Sequence, residues 1–99
     1  MPYIKQDLRP KIDKHLKALD KELQCAGDYN YTMFKLIFLY LNGGKVRYKY
    51  LNEMIGMLEC CKLELYRRIV GPYEDMAISK NGDVKGLDWL DNYYKDMLR

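Results

Sequence analysis

One histidine, one tryptophan and three cysteines leave this 99-residue chain short of the side chains that catalysis and metal binding draw on. His15 is the sole histidine and Ser79 the sole serine, so a nucleophile, base and orienting acid cannot be assembled, and no catalytic residue is expected. Cys25, Cys60 and Cys61 contain no C-x-x-C pair, and with one histidine they predict no structural zinc and no metal site. Side chains of adjacent residues on a helix point about 100° apart, so Cys60 and Cys61 do not readily bridge each other. Reduced thiols in a cytoplasmic protein are the expectation. Gly43-Gly44 lacks the Lys-Ser/Thr that completes a phosphate-binding loop, and no cofactor is expected.

Long apolar runs are also missing. The opening Met1-Pro-Tyr-Ile-Lys-Gln6 has no apolar stretch of the kind a signal peptide carries. The longest apolar run, Tyr31 to Leu41, is broken by Thr32 and Lys35 and falls short of the roughly 20 residues a membrane span needs. No membrane partner is expected. Charge of one sign is scarce too. A net charge of +3, from 17 basic and 14 acidic residues, does not by itself imply a polyanionic partner.

What the chain has in surplus is tyrosine, ten in all. Tyrosine joins a large apolar ring to a polar tip, which suits interfaces and the rim of a core. With 48% apolar and 31% charged residues, the composition is that of a globular domain. The length fits a single helical domain over residues 1–99.

Periodicity predicts an all-α fold of about four helices. The first spans about Asp7 to Gln24, with Leu8, Ile12, Leu16, Leu19 and Leu23 on one stripe. Asp7 is its expected N-cap, Pro10 sits in its first turn, and Gly27 is the expected stop. Lys11, Lys14, Lys17 and Lys21 decorate the solvent face, and His15 borders the stripe. Asp28 or Asn30 is expected to cap a second helix running to about Asn42. Tyr31, Met33, Phe34, Leu36, Ile37, Phe38 and Leu39 leave that helix almost no polar face. A helix apolar all round is normally buried on several sides, which a chain this small can hardly provide. A homodimer packed across this helix is therefore expected, with Tyr31, Phe34 and Phe38 at the interface.

Asn42-Gly43-Gly44 makes a turn, and a third, long helix begins near Tyr48. Its apolar arc holds Leu51, Ile55, Leu58, Leu65, Tyr66 and Ile69, with Lys62 among them and Glu59 one turn earlier. Glu59 and Lys62 are expected to neutralise each other, either with the ammonium reaching outward or as a partly buried pair that sets register. A lysine of lowered pKa lining a pocket is the functional alternative. Gly56 is expected to allow close approach of another helix. Lys49 with Glu53, and Glu64 with Arg68, suit surface ion pairs. Gly71-Pro72 is expected to kink or end the helix, with a further turn or two from Tyr73 to Lys80. Asn81-Gly82-Asp83 is a turn, and a last helix runs from about Leu87 to Leu98, carrying Leu87, Leu90, Tyr94 and Met97. The four helices are expected to form a bundle completed by dimerisation.

Three functions are weighed. The leading one is a non-enzymatic, dimeric module that binds another, unidentified protein. The alternative is a weak nucleic-acid-binding protein, in which Lys45, Arg47 and Lys49 contact phosphate while Tyr48 and Tyr50 stack on bases. The third is a metal-dependent nucleotide hydrolase, which needs carboxylates from two helices converging on an ion. Glu53 and Glu64 nearly align but Glu59 points away, and Asp88 with Asp91 makes only a common spacing. That spacing disfavours the hydrolase.

Several segments together carry a resemblance: Pro2-Tyr-Ile-Lys-Gln6, Gly27-Asp-Tyr-Asn-Tyr31, Leu51-Asn-Glu53, Gly56-x-Leu-Glu59, Lys62-Leu-Glu-x-Tyr-Arg-Arg68, Pro72-Tyr-Glu-Asp75 and Lys80-Asn-Gly-Asp-Val84. The chain resembles a family of short uncharacterised proteins in archaea, bacteria and their viruses, including a filamentous virus of thermophilic archaea. The similarity covers about the first 84 residues, and the segment after Val84 is unmatched. The resemblance implies a compact, dimeric, heat-tolerant helical protein. It implies no activity, so no site residue is carried over.

Overall fold

The computed structural model describes residues 2–99, and every regular element among them is helical. A 3₁₀ turn, Gln6–Leu8, leads into α1 (Arg9–Asp20); α2 spans Ala26–Leu41 and α3 spans Tyr48–Leu65. Five residues of π-helix, Tyr66–Val70, then carry the helical run into α4 (Gly71–Asn81), and α5 (Asp88–Met97) follows. Four helical stretches thus match the expected number, the third being the long one. By its contacts the chain divides into two units, Met1–Lys62 and Leu63–Arg99.

In the first unit, Pro10 occupies the first turn of α1, where its missing N–H costs nothing. Asp7 does not cap the helix: it lies inside the 3₁₀ turn, and the residue preceding α1 is Leu8. The Arg9 guanidinium donates through Nε and Nη2 to the Ile4 carbonyl at 3.0 and 2.7 Å, which fastens the N-terminal segment to the start of α1. The helix stops at Asp20 rather than Gln24, because Glu22 and Leu23 close tight turns back onto the Leu19 and Asp20 carbonyls.

Gly27 is no stop signal. It lies in the first turn of α2, which starts at Ala26, ahead of both expected caps, Asp28 and Asn30. Asn42 terminates α2 in extended backbone, as its position predicts, and its Oδ1 accepts the Gly43 N–H at 3.0 Å. Gly43 and Gly44 take φ of +83° and +98°, which only glycine adopts freely.

No two α-helices of this unit lie against each other along their length. A Cβ placed on Gly56 would meet nothing within 4 Å, so the close helix approach expected there is not made within the chain.

In the second unit, Gly71-Pro72 does not end the helix. Pro72 has no N–H for the carbonyl four residues back and its ring crowds that turn. The helix answers by widening: the Gly71 N–H donates to the Tyr66 carbonyl, five residues back, forming the π turn. Glycine suits this position, since a Cβ would come within 3.3 Å of that same carbonyl oxygen. Asn81 is the last residue of α4 rather than part of a turn: Gly82, at φ +88°, closes the helix on the Ile78 carbonyl, the Asp83 side chain accepts the Val84 N–H at 2.7 Å, and the turn comes later, at Lys85-Gly86. Ion pairing in this stretch differs from expectation. Glu64 takes Arg67, at 2.6 Å, three residues on.

No described side chain is buried, apolar or polar.

Candidate functional site

Two apolar faces of α2 define the surfaces available for binding. The inner one belongs to a groove between α1 and α2. Leu16, Leu19 and Leu23 come from the stripe of α1 and its exit; Tyr29, Thr32, Met33 and Leu36 come from α2, and together they border about 360 Å³. Lys17 and Asp20 stand on its rim.

A polar joint sets the groove's end. The Tyr29 hydroxyl donates to the Asp20 carboxylate across the connection between the helices. That bond holds the Tyr29 phenol above its usual range, since ionising it would destroy the donor beside a carboxylate. The Asp28 carboxylate accepts the Gln24 N–H at 2.8 Å, reaching back over the α2 N-terminus. This bond holds the Asp28 carboxyl below the usual carboxylate range. Thr32 Oγ1 donates to the Asp28 carbonyl at 2.8 Å, completing the joint. Sequence reasoning placed Asp28 near the helix start but missed its backward reach and the Tyr29–Asp20 bond.

The outer face of α2 carries Tyr31, Phe34, Phe38 and Leu41, spaced three, four and three apart, which puts them on one stripe. Tyr31 and Phe34 are 68% and 69% exposed and Phe38 is 53% exposed. These are the expected interface residues, and they share one side of the helix.

The other expected sites fare differently. Lys62 Nζ lies 3.3 Å from Glu59 Oε1, so the pair forms, but its side chains are 69% and 54% exposed. It is a surface ion pair, and nothing encloses the lysine. Of the basic and aromatic residues considered for nucleic acid, Lys45, Lys49 and Tyr50 come together, with Tyr40 as a partner not foreseen. The Lys45 ammonium sits 4.2 Å from the Tyr40 ring centroid and 6.0 Å from that of Tyr50. The two rings meet edge to face at 6.4 Å. Lys49 Nζ lies 5.6 Å from the Tyr50 ring, and Glu53 is not its partner in an ion pair. This cluster braces the turn from α2 to α3, while the rings of Tyr48 and the side chain of Arg47 stay exposed.

Among the described residues, no three His, Cys, Asp or Glu side chains gather as a metal site. No described helix is long and apolar enough to cross a membrane. Residues 1–84 match a family model described as a domain of unknown function, DUF6899. No curated protein and no solved structure matches the chain.

Proposed function

The chain belongs to the DUF6899 family, a domain of unknown function, and we propose that it works as a non-enzymatic interaction module whose helices acquire a core when two copies associate. One observation carries this reading: no described side chain is buried. Ordering a residue's backbone costs about 1–2 kcal/mol, and apolar burial is the main term that offsets it. With apolar side chains at most half-buried, the helices gain little of that term, and a partner would supply the missing surface.

The outer stripe of α2 is the natural first contact. Tyr31, Phe34, Phe38 and Leu41 repeat like one seam of a coiled coil, and two such seams pack knobs into holes. An aromatic side chain carries about 150–250 Å², so the three exposed rings of the seam from each copy supply the centre of an interface rather than all of it. In this reading the tyrosines outside the seam, and the face of α3, remain for a further protein partner. Exposed, unpaired Cys25, Cys60 and Cys61 suit a reducing cytoplasm.

Nucleic acid is the weaker reading. Lys45 and Tyr50 are drawn into the brace at the α2–α3 turn, which leaves few groups for phosphate and base.

Light scattering over a dilution series tests the proposal. A mass near twice 11.8 kDa is expected, with helix content falling as the dimer dissociates. A folded monomer at micromolar concentration, with full helix content, would sink it.

A further inference from the structure

We infer that Asn42 is a site of spontaneous covalent modification, deamidation through attack by the Gly43 backbone nitrogen, and that the fold spares the matching Asn81-Gly82 pair. Both asparagines precede glycine, which has no side chain to hinder the attack, and both are exposed. The structure treats them differently. The Asn42 Oδ1 accepts the Gly43 N–H at 3.0 Å, so the nucleophile already lies beside the carboxamide whose Cγ it attacks. Asn42 lies past the end of α2, in extended backbone at ψ 150°. Closing the ring needs rotation about that bond. A Cβ built on Gly43 or Gly44 would meet nothing within 4 Å, so the turn leaves room for the swing.

Asn81 lacks that freedom. It is the last residue of α4, and the Gly82 N–H donates to the Ile78 carbonyl at 2.8 Å, so that nitrogen is committed to the helix end rather than to the Asn81 side chain. Turning Asn81 toward ring closure breaks the bond that closes α4. Asn30, Asn52 and Asn92 are helical and precede Tyr31, Glu53 and Tyr93, whose side chains crowd the attack.

The step balances without a redox partner. Solvent base removes the Gly43 amide proton, the nitrogen bonds to Asn42 Cγ, and the Cγ–Nδ2 bond breaks with release of ammonia, which takes the proton it needs from water. Water then opens the succinimide at either carbonyl, leaving aspartate or isoaspartate at position 42. The product carries a negative charge at the C-terminal end of α2, where the helix dipole disfavours an anion. Asn42 borders the same hollow as Phe38, Leu41 and Val46. Phe38 and Leu41 belong to the α2 seam, so, resting on the proposed self-association, the modified chain associates more weakly.

Peptide mapping by mass spectrometry of the dilute full-length chain, aged at mildly alkaline pH, tests the site. Asn42 is expected to deamidate several times faster than Asn81 in the folded chain, and the rate at Asn42 should rise with pH. In denaturant both Asn-Gly pairs should react alike, which assigns the difference to the fold. Equal rates in the folded chain, Asn81 ahead, or the same difference kept in denaturant would overturn the inference. Light scattering of Asn42→Asp and Asn42→Gln separates the consequence from the underlying self-association. Weaker association for Asn42→Asp alone supports it. An unchanged dimer for Asn42→Asp, or equal weakening by Asn42→Gln, would overturn the effect on association and leave self-association intact. A monomer at all concentrations, wild type included, would remove self-association, while the mapping still decides the site.

Discussion

The Tyr29 hydroxyl donates to the Asp20 carboxylate, tying α2 to the end of α1 across their connection. Because only the neutral phenol can donate, the bond favours protonated Tyr29 and raises its pKa. Its contribution is therefore complete below the usual tyrosine range, about pH 10, and is lost as pH rises through the elevated value. An absorbance titration of wild type minus Tyr29→Phe should show one phenol ionising later than the others. A difference curve centred at or below the ordinary value would contradict the bond.

Asp28 behaves in the opposite sense. Its carboxylate accepts the Gln24 N–H, which lowers its pKa, so the contribution is present above the ordinary carboxylate value and fades as pH falls through the lowered one. Asp28→Ala should speed exchange of the Gln24 amide severalfold at neutral pH. As pH falls through that lowered value, wild type and variant should converge. Equal exchange at pH 7 would show that the cap contributes nothing.

Lys45 stabilises the α2–α3 turn through the Tyr40 and Tyr50 rings. Lys45→Met should cost about 0.5–1 kcal/mol in denaturant unfolding, the usual range for an exposed cation–π contact. If the loss is instead confined to low salt, long-range charge rather than ring contact is responsible.

Pro72 accounts for the π turn at Tyr66–Val70. Restoring an N–H with Pro72→Ala should let Arg68 regain an ordinary i+4 bond and convert the turn to α-helix, raising stability by roughly 1–3 kcal/mol. Backbone chemical shifts over residues 66–71 would register the change. A π turn that survives the substitution would mean that tertiary or intermolecular contacts impose it.

The α2 seam predicts its own disruption. Phe34→Asp or Phe38→Asp should weaken association about 30- to 900-fold, since truncating a central aromatic typically costs about 2–4 kcal/mol. The change Tyr48→Asp, outside the seam, should leave the solution mass unchanged. Equal effects from both sets would move the interface elsewhere.

Local chemistry was legible where it depends on neighbours in the chain. The all-helical pattern, the turn at Asn42-Gly43-Gly44, the start of α3 at Tyr48 and the extent of α5 all follow from periodicity and turn residues, whereas the turn after α4 lies at Lys85-Gly86 rather than at Asn81-Gly82-Asp83. Helix ends were less legible. Asp7, Gly27 and Asp28 are all good terminal residues, and which one acts depends on hydrogen bonds between segments, such as Gln24 to Asp28. Trp89 and Tyr93 fall on the apolar side of α5 at the same 100° spacing that identifies Leu90 and Tyr94, so that signal was available.

The over-apolar α2 follows from residue order alone, because in a run such as Met33 to Leu41 only Lys35 interrupts the apolar surface. How its faces are divided depends on three-dimensional placement. The bend at Asp20–Tyr29 turns Met33 and Leu36 toward α1 and leaves Tyr31, Phe34 and Phe38 facing away. Helical periodicity specifies which residues share a side, but the joint between helices specifies what that side meets.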